Sequence, residues 1–398
     1  MKIALVGPFP PQEKGEAAYL QRSCEALADF IGPENITIIS QYENRPSATR
    51  FNGSIVRRAI RDRTSAPSYA PQRELVRTVI ESGADIVHVH FGPNQDYGGR
   101  LGEPLVGALR RLRRQGVKTV LTLHSQWKPQ DVICSRPAQR FPALLRPLIV
   151  RYFRSFMRGL RASCDAFLCV VSILKSPLTA EFARAYGLHD IGEELFSCAL
   201  EFTPVPKSAH PSIFAFGFMR PEKGFEVLIE AFLKYCNRGG PGRLIIAGSA
   251  TTAADRRYVE MLRALCEGHD RITLIEGYLS DGDVHRYLHE CSVFVVPYLR
   301  TVGCSAPLHA ALGMGRPVIA AAVGHNAMLG EAVRLVAPAS SEAIAHALSG
   351  LINVQGALEE AAERARHAAM ERRPEIAAAR QYELYRRLLE PSAHGGLQ

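Results

Sequence analysis

Arg220 and Lys223 stand in a short gap, "GFMRPEKG", between an apolar run, "SIFAF", and a helical pattern that begins after Gly224. Two cations beside a helix N-terminus, whose free N–H groups carry partial positive charge, suit a diphosphate better than a neutral ligand. An ordinary solvated loop is the competing reading of any single such corner. A second corner lies in "VVPYLRTVGCSAPLHAAL". There Ser305 is a good N-cap and Pro307 is tolerated in the first turn, so unpaired amides are expected around Gly303, Cys304, Ser305 and Ala306. A third is "GPFPPQEKGEAAYL", where a proline-stiffened loop leads to Gly15 at a helix entry. It lacks the GxGxxG spacing, so the dinucleotide fingerprint is absent.

His124 ends the run "TVLTLH", and an imidazole at a strand end can exchange a proton or hydrogen-bond a hydroxyl. His88 and His90 alternate onto one face of "IVHVHF". With no carboxylate or third histidine at matching spacing, they read as core or cleft-lining residues and not as metal ligands. Asp281 and Asp283 in "SDGDVHRYL" imitate a metal-binding pair but read better as the cap of the following helix.

These residues need elements to hold them. The N-terminal half alternates strand patterns ("KIALVG", "NITIIS", "DIVHVHF", "TVLTLH", "AFLCVVS") with helical ones, the first over about 16–31. The C-terminal half repeats the alternation: "SIFAFGF", helix 224–236, "RLIIAG", helix 254–267, "ITLIEG", helix 282–291, "VFVVPY", helix 306–314, "PVIAAA". Near-continuous apolar strands between helices predict parallel α/β sheets covered on both faces. Three prolines in "EFTPVPKSAHPS" mark a linker at 201–212 between a domain over 1–200 and another over 213–373. A last helix, about 374–390, offers Ile376, Tyr382, Leu384, Tyr385, Leu388 and Leu389 for packing. Ligands of open α/β sheets sit at the C-terminal strand ends, where the residues above fall.

The chain has 398 residues, 47% hydrophobic and 22% charged, with nine scattered cysteines and no CxxC pair. That composition excludes a disordered chain, a disulfide framework and a structural zinc site. No signal-peptide pattern or bilayer-length apolar run occurs, so a cytoplasmic protein is expected. The net charge of +9 points to polyanionic partners, with nucleic acid ranked last for want of a zinc-finger or RNA-binding signature. Residues 140–161, "RFPALLRPLIVRYFRSFMRGLR", hold six arginines and no acid. From Pro147 onward they predict a basic amphipathic helix, with Arg140, Arg151, Arg154, Arg158 and Arg161 opposite Leu145, Ile149, Phe153, Phe156 and Leu160. Either it covers the sheet with its arginines in solvent, or 147–161 touches anionic membrane at the inner-membrane surface.

In their order, "GPFPPQEKGEAAYL", "DIVHVHF", "TLHSQW", "RPEKGFEVLIEAF", "LIIAG", "ITLIEGYLSDGDVHRYLHECSVFVVPY" and "GMGRPVIAAAVG" resemble the large family of GT-B retaining glycosyltransferases, the glycosyl transferases of group 1. Its members make bacterial polysaccharides, glycolipids and antibiotic glycosides. The resemblance implies two Rossmann-like domains facing across a cleft, with the terminal helix crossing back onto the first. It implies a nucleotide-diphosphate sugar as co-substrate, a carbohydrate, lipid-linked or small-molecule acceptor, and no cofactor or metal. By the same likeness Gly15 lies under the donor phosphates, His124 at the reacting sugar and Lys223 on the leaving diphosphate, while the backbone near Tyr278 meets the base.

The sequence departs from that pattern at two places. Phe218 occupies the position of the family's arginine, and Arg220 follows two residues later. Val302 and Ala310 stand where the family has paired glutamates, with His309 one helical step away. Two readings stay open: a transferase that holds its donor through backbone amides, or a catalytically silent relative acting as a binding subunit. A sugar-nucleotide epimerase on the same architecture ranks third, since no converging acid–base set is evident.

Overall fold

The strand β1 (Ile3–Val6) is apolar and buried at every position, as a strand covered on both faces must be. In the computed structural model, which describes residues 1–390 except 13, 43, 62–69, 94–96, 100, 136–138, 140 and 141, it is the centre of an eight-stranded sheet. On one side β1 pairs in parallel with β2 (Ile36–Tyr42), followed by β4 (Ser54–Arg61) and the antiparallel edge strand β3 (Ser47–Phe51). On the other it pairs with β5 (Ile86–Phe91), and β6 (Lys118–Leu123), β7 (Ala166–Val171) and β8 (Ile191–Leu195) complete the sheet.

Helices α1 (Gly15–Ile31), α2 (Ala70–Ser82), α3 (Pro104–Arg114), α4 (Pro129–Ile133), α5 (Arg146–Ser163) and α6 (Pro177–Tyr186) accompany this sheet. Val6, Val89, Leu109, Leu121, Phe153 and Phe167 build the core on one face, and Leu5, Leu20, Leu27, Ile38 and Tyr385 that on the other. Arg140 of the basic stretch lies outside the described residues. Within α5 three arginines turn to protein oxygens. Arg154 donates to Ala185 O at 3.2 Å, Arg158 to Tyr186 O at 2.7 Å and Arg161 to His189 O at 2.9 Å. They meet the carbonyls at the end of α6, where cations are favoured, while Phe153, Phe156 and Leu160 are buried beneath.

The second sheet is parallel throughout. Its strands β9 (Ser212–Phe216), β10 (Arg243–Gly248), β11 (Ile272–Glu276), β12 (Val293–Val296), β13 (Val318–Ala321) and β14 (Arg334–Val336) lie in the order β11-β10-β9-β12-β13-β14. This is the doubly wound order, and the strand order reverses between β9 and β12. Helices α7 (Phe225–Asn237), α8 (Ala253–Cys266), α9 (Asp281–Glu290), α10 (Ala306–Gly313), α11 (Ser341–Ile352) and α12 (Ala357–Met370) cover it. Phe225, Leu228, Ile229 and Phe232 are buried in one core, and Phe214, Phe294, Leu308 and Leu312 in the other. Ser280 caps α9, accepting from Asp283 N at 3.1 Å, so Asp281 and Asp283 belong to a helix start.

The chain divides into two units, Met1–Leu195 with the residues from Pro374 onward, and Phe196–Arg373. Inside the second, the fully buried Arg316 donates to Pro204 O at 3.0 Å and to Thr203, fastening the linker segment to that unit. The final helix, α13 (Pro374–Leu389), packs on α1, with Phe30 and Tyr382 rings 5.6 Å apart. Tyr385 is fully buried, whereas Leu389, expected to pack, is 38% exposed, and the polar Gln381 takes a buried place instead. No described helix is long and apolar enough to cross a membrane.

Candidate functional site

After β9 the chain makes a tight turn over Pro221–Lys223 and enters α7 through Gly224, which is left-handed (φ 65°). A Cβ at Gly224 would stand 2.3 Å from the carbonyl oxygen of Pro297, just beyond β12. The two corners that flank the reversal point therefore touch backbone to backbone, and only glycine meets both demands. Leu299 N also donates to Glu222 O at 3.0 Å. Lys223 Nζ stands 3.7 Å from the centroid of the Tyr298 ring, a cation–π contact. Tyr298 is buried, and its hydroxyl accepts from Ser305 Oγ at 3.1 Å. Lys223 and Ser305 are thus joined through one side chain.

Ser305 is the N-cap of α10, accepting from Leu308 N at 3.4 Å. Pro307 has no N–H, and Gly303 N leans on the Thr301 hydroxyl at 3.4 Å. The amides of this first turn, those of Ser305 and Ala306 among them, are donors this end can direct at an anion. Cys304 lies half-buried in the same turn. Val302 and Ala310 are half-buried, Ala310 against the core. His309 faces inward, its Nδ1 2.8 Å from Ser305 O and its ring 4.4 Å from that of Phe196.

Arg220 is aimed from the neighbouring strand end. Its Nη2 donates to Thr251 Oγ1 at 3.1 Å, and its Nε is 3.8 Å from Asp255 Oδ2. Asp255 is fully buried at the start of α8, where it also accepts the Thr252 amide at 3.1 Å. Phe218 lies under the guanidinium, 5.0 Å from ring centroid to carbon. The residue in the family's arginine position thus serves as the platform for Arg220. Tyr278 follows the edge strand β11, two strands from β9, and is 44% exposed.

The first unit holds His88, His90 and His124. Gly15 opens α1, with nothing within 4 Å of where a Cβ would stand. The loop before it is held by Arg58, which donates to Phe9 O at 3.4 Å and to Pro10 O. His124, half-buried after β6, brings its Nε2 to 3.1 Å from His90 Nδ1. His90 stacks on His88, with centroids 4.5 Å apart.

The carboxylate that sequence spacing could not show is Glu194 of β8, three strands away from the His88 strand. Its Oε2 accepts from Thr122 Oγ1 at 2.5 Å, and its Oε1 from Gln381 Nε2 at 2.7 Å and from Tyr19. His88 Nε2 is 2.7 Å from Thr122 Oγ1, and His88 Nδ1 is 2.5 Å from Tyr385 OH. Because Thr122 gives its proton to Glu194, His88 donates from Nε2 and accepts Tyr385 at Nδ1. Every donor then has an acceptor with Glu194 ionised. Burial pushes the Glu194 carboxyl up, and the three donors oppose it. Burial, with His124's charge, lowers His88 to about 3. His90 is held well below its ordinary value by burial, then by His88 and His124, and His124 is lowered by burial against Glu16. Among the described residues no group of three or more such side chains could hold a metal.

Residues 19–189 match the model of glycosyltransferase family 4, and residues 210–353 that of the glycosyl transferases of group 1. The chain belongs to these glycosyltransferases, and its two parallel-sheet units have the GT-B fold. Among solved structures it is similar to sucrose-phosphate synthase from Thermosynechococcus elongatus (TM-score 0.73, 20% identity, covering 98% of this chain and 99% of that one). It is also similar to a UDP-forming α,α-trehalose-phosphate synthase from Burkholderia xenovorans in complex with glucose-6-phosphate (0.69, 12%, 98% and 100%). A third is the Anabaena HepE protein in complex with UDP (0.67, 14%, 97% and 100%). No curated protein sequence matches.

Proposed function

We propose that this glycosyltransferase moves a sugar from a nucleotide-diphosphate sugar to an acceptor hydroxyl. The observation that carries the reading is the contact of Lys223 with Tyr298, whose hydroxyl meets the N-cap of α10. It sets a cation and a helix N-terminus on the two sides of one strand-order reversal, where doubly wound sheets bind nucleotides. Charge that develops on the departing diphosphate then meets Lys223, Arg220 and the amides of Ser305 and Ala306, all placed before the reaction. Those amides also take over donor contacts that side chains at Val302 and Ala310 cannot make. Tyr278, exposed after β11, is the contact for the base, and Gly15 leaves open backbone for the donor in the first unit. His124 orients the reacting sugar. Retention of configuration and chemistry without a metal rest on the family likeness.

The test is thermal stabilisation by UDP, ADP and GDP. One of them should raise the melting temperature of the wild type, and Lys223→Ala should weaken its binding about tenfold, about 1.4 kcal/mol. Stabilisation by none, or equal stabilisation of both proteins, would remove the basis for the reading.

A further inference from the structure

We infer that His90 is a positioning residue: its Nδ1–H donates to His124 Nε2 and so holds His124 in the Nδ1–H tautomer. The inference rests on the proposed role of His124 at the sugar, and it specifies which hydrogen His124 has to offer a substrate oxygen.

The 3.1 Å contact between His90 Nδ1 and His124 Nε2 requires one proton between the two nitrogens. Each imidazole is neutral at ordinary pH, since burial lowers both, against Glu16 at His124, and the rings of His88 and His124 further oppose a charge on His90. A neutral imidazole carries one N–H, so two arrangements exist. In one, His124 donates from Nε2, and the hydrogen of His90 must sit on its own Nε2. That atom is buried, and no described polar atom is in hydrogen-bonding reach of it. In the other, His90 donates from Nδ1, and its Nε2 is a bare lone pair. A buried N–H without an acceptor is rarer and costlier than an acceptor left unfilled, so the second arrangement is the stable one.

The surroundings close off other exchanges. His88, stacked on His90, has both nitrogens engaged with Thr122 and Tyr385. Tyr19 meets His124 edge-on, with centroids 5.0 Å apart and planes at 86°, and also lies 5.7 Å from the His90 ring. Its hydroxyl is engaged with Glu194. The orientation of His124 is therefore set by packing and its hydrogen by His90, the way a second residue sets a histidine's tautomer at many reacting centres.

Nitrogen-15 spectra of the imidazoles in the ligand-free protein decide the matter. In the wild type, His124 should show a protonated Nδ1 and a bare Nε2. His90→Asn, whose amide N–H stands near the place of Nδ1, should keep that signature. His90→Leu should lower the ratio of Nδ1–H to Nε2–H forms of His124 about fivefold, the loss of one hydrogen bond. A protonated Nε2 in the wild type overturns the inference, and so does an unchanged ratio in His90→Leu. Should His90→Leu fail to fold, the wild-type and His90→Asn spectra still give the answer. No nucleotide enters the measurement, so its outcome is separate from that of the diphosphate panel.

Discussion

Lowering the pH should destabilise the first unit through its buried histidines, and His88 allows the amount to be worked out. Its folded value is about 3, against about 6.5 in an unfolded chain. The folded state therefore binds fewer protons, and stability present above the unfolded value is lost as pH falls below it. Between about pH 7.5 and about pH 5.5 one such group removes about 1.4 kcal/mol. His90 and His124 are displaced in the same direction and steepen the wild-type loss. Glu194, whose carboxyl burial pushes up, works in the opposite direction. All three are present in His88→Gln, so the difference between the two proteins reports His88 together with its part in lowering His90. The assay is urea unfolding followed by Trp127, the one tryptophan of the chain, which packs against the core of the first unit. His88→Gln should start less stable and lose about 1.4 kcal/mol less over that interval. Equal losses would mean that His88 titrates in the fold as it does in the open chain, and the burial argument would fall.

Two further outcomes concern the second unit. Gly224→Ala puts a Cβ into a left-handed backbone, costing roughly 1–2 kcal/mol, and 2.3 Å from Pro297 O, which must move. Calorimetry should show a lower melting temperature together with loss of diphosphate stabilisation, and an unchanged melting temperature would refute the backbone contact. Asp255→Asn removes the charge facing Arg220, a side chain 37% exposed and so partly screened. The diphosphate dissociation constant, measured by titration calorimetry, should rise about three- to fivefold. No rise would show that Arg220 is aimed by something else.

The alternation of apolar runs with helical patterns was enough to find the central strands, because a strand buried on both faces has no choice of composition. Edge strands lack that constraint. β3 is exposed along most of its length, and β4 alternates, so neither shows as an apolar run. The signal that could have found them was Asn52-Gly53, both at positive φ in the turn that joins them. β8 was hidden for another reason: its "GEEL" looks like surface, yet Glu194 is buried because Thr122, Tyr19 and Gln381 converge on it.

The same physics divides the candidate site. Lys223, Gly224 and Ser305 could be read locally, since a loop before a helix N-terminus is a feature of consecutive residues. Asp255 was readable only as the capping box that starts at Thr252, which says nothing of Arg220. The histidine network could not be read at all. His88 and His124 lie 36 positions apart, Glu194 and Tyr385 far beyond, and only the parallel register of β5, β6, β7 and β8 with the seating of α13 brings them together. Periodicity reports which face is buried but not which partner waits there. A histidine on an apolar face therefore looks structural from the sequence whether or not it sets the tautomer of its neighbour. That is why His90, read as a core or cleft-lining residue, is where the arrangement is most worth testing.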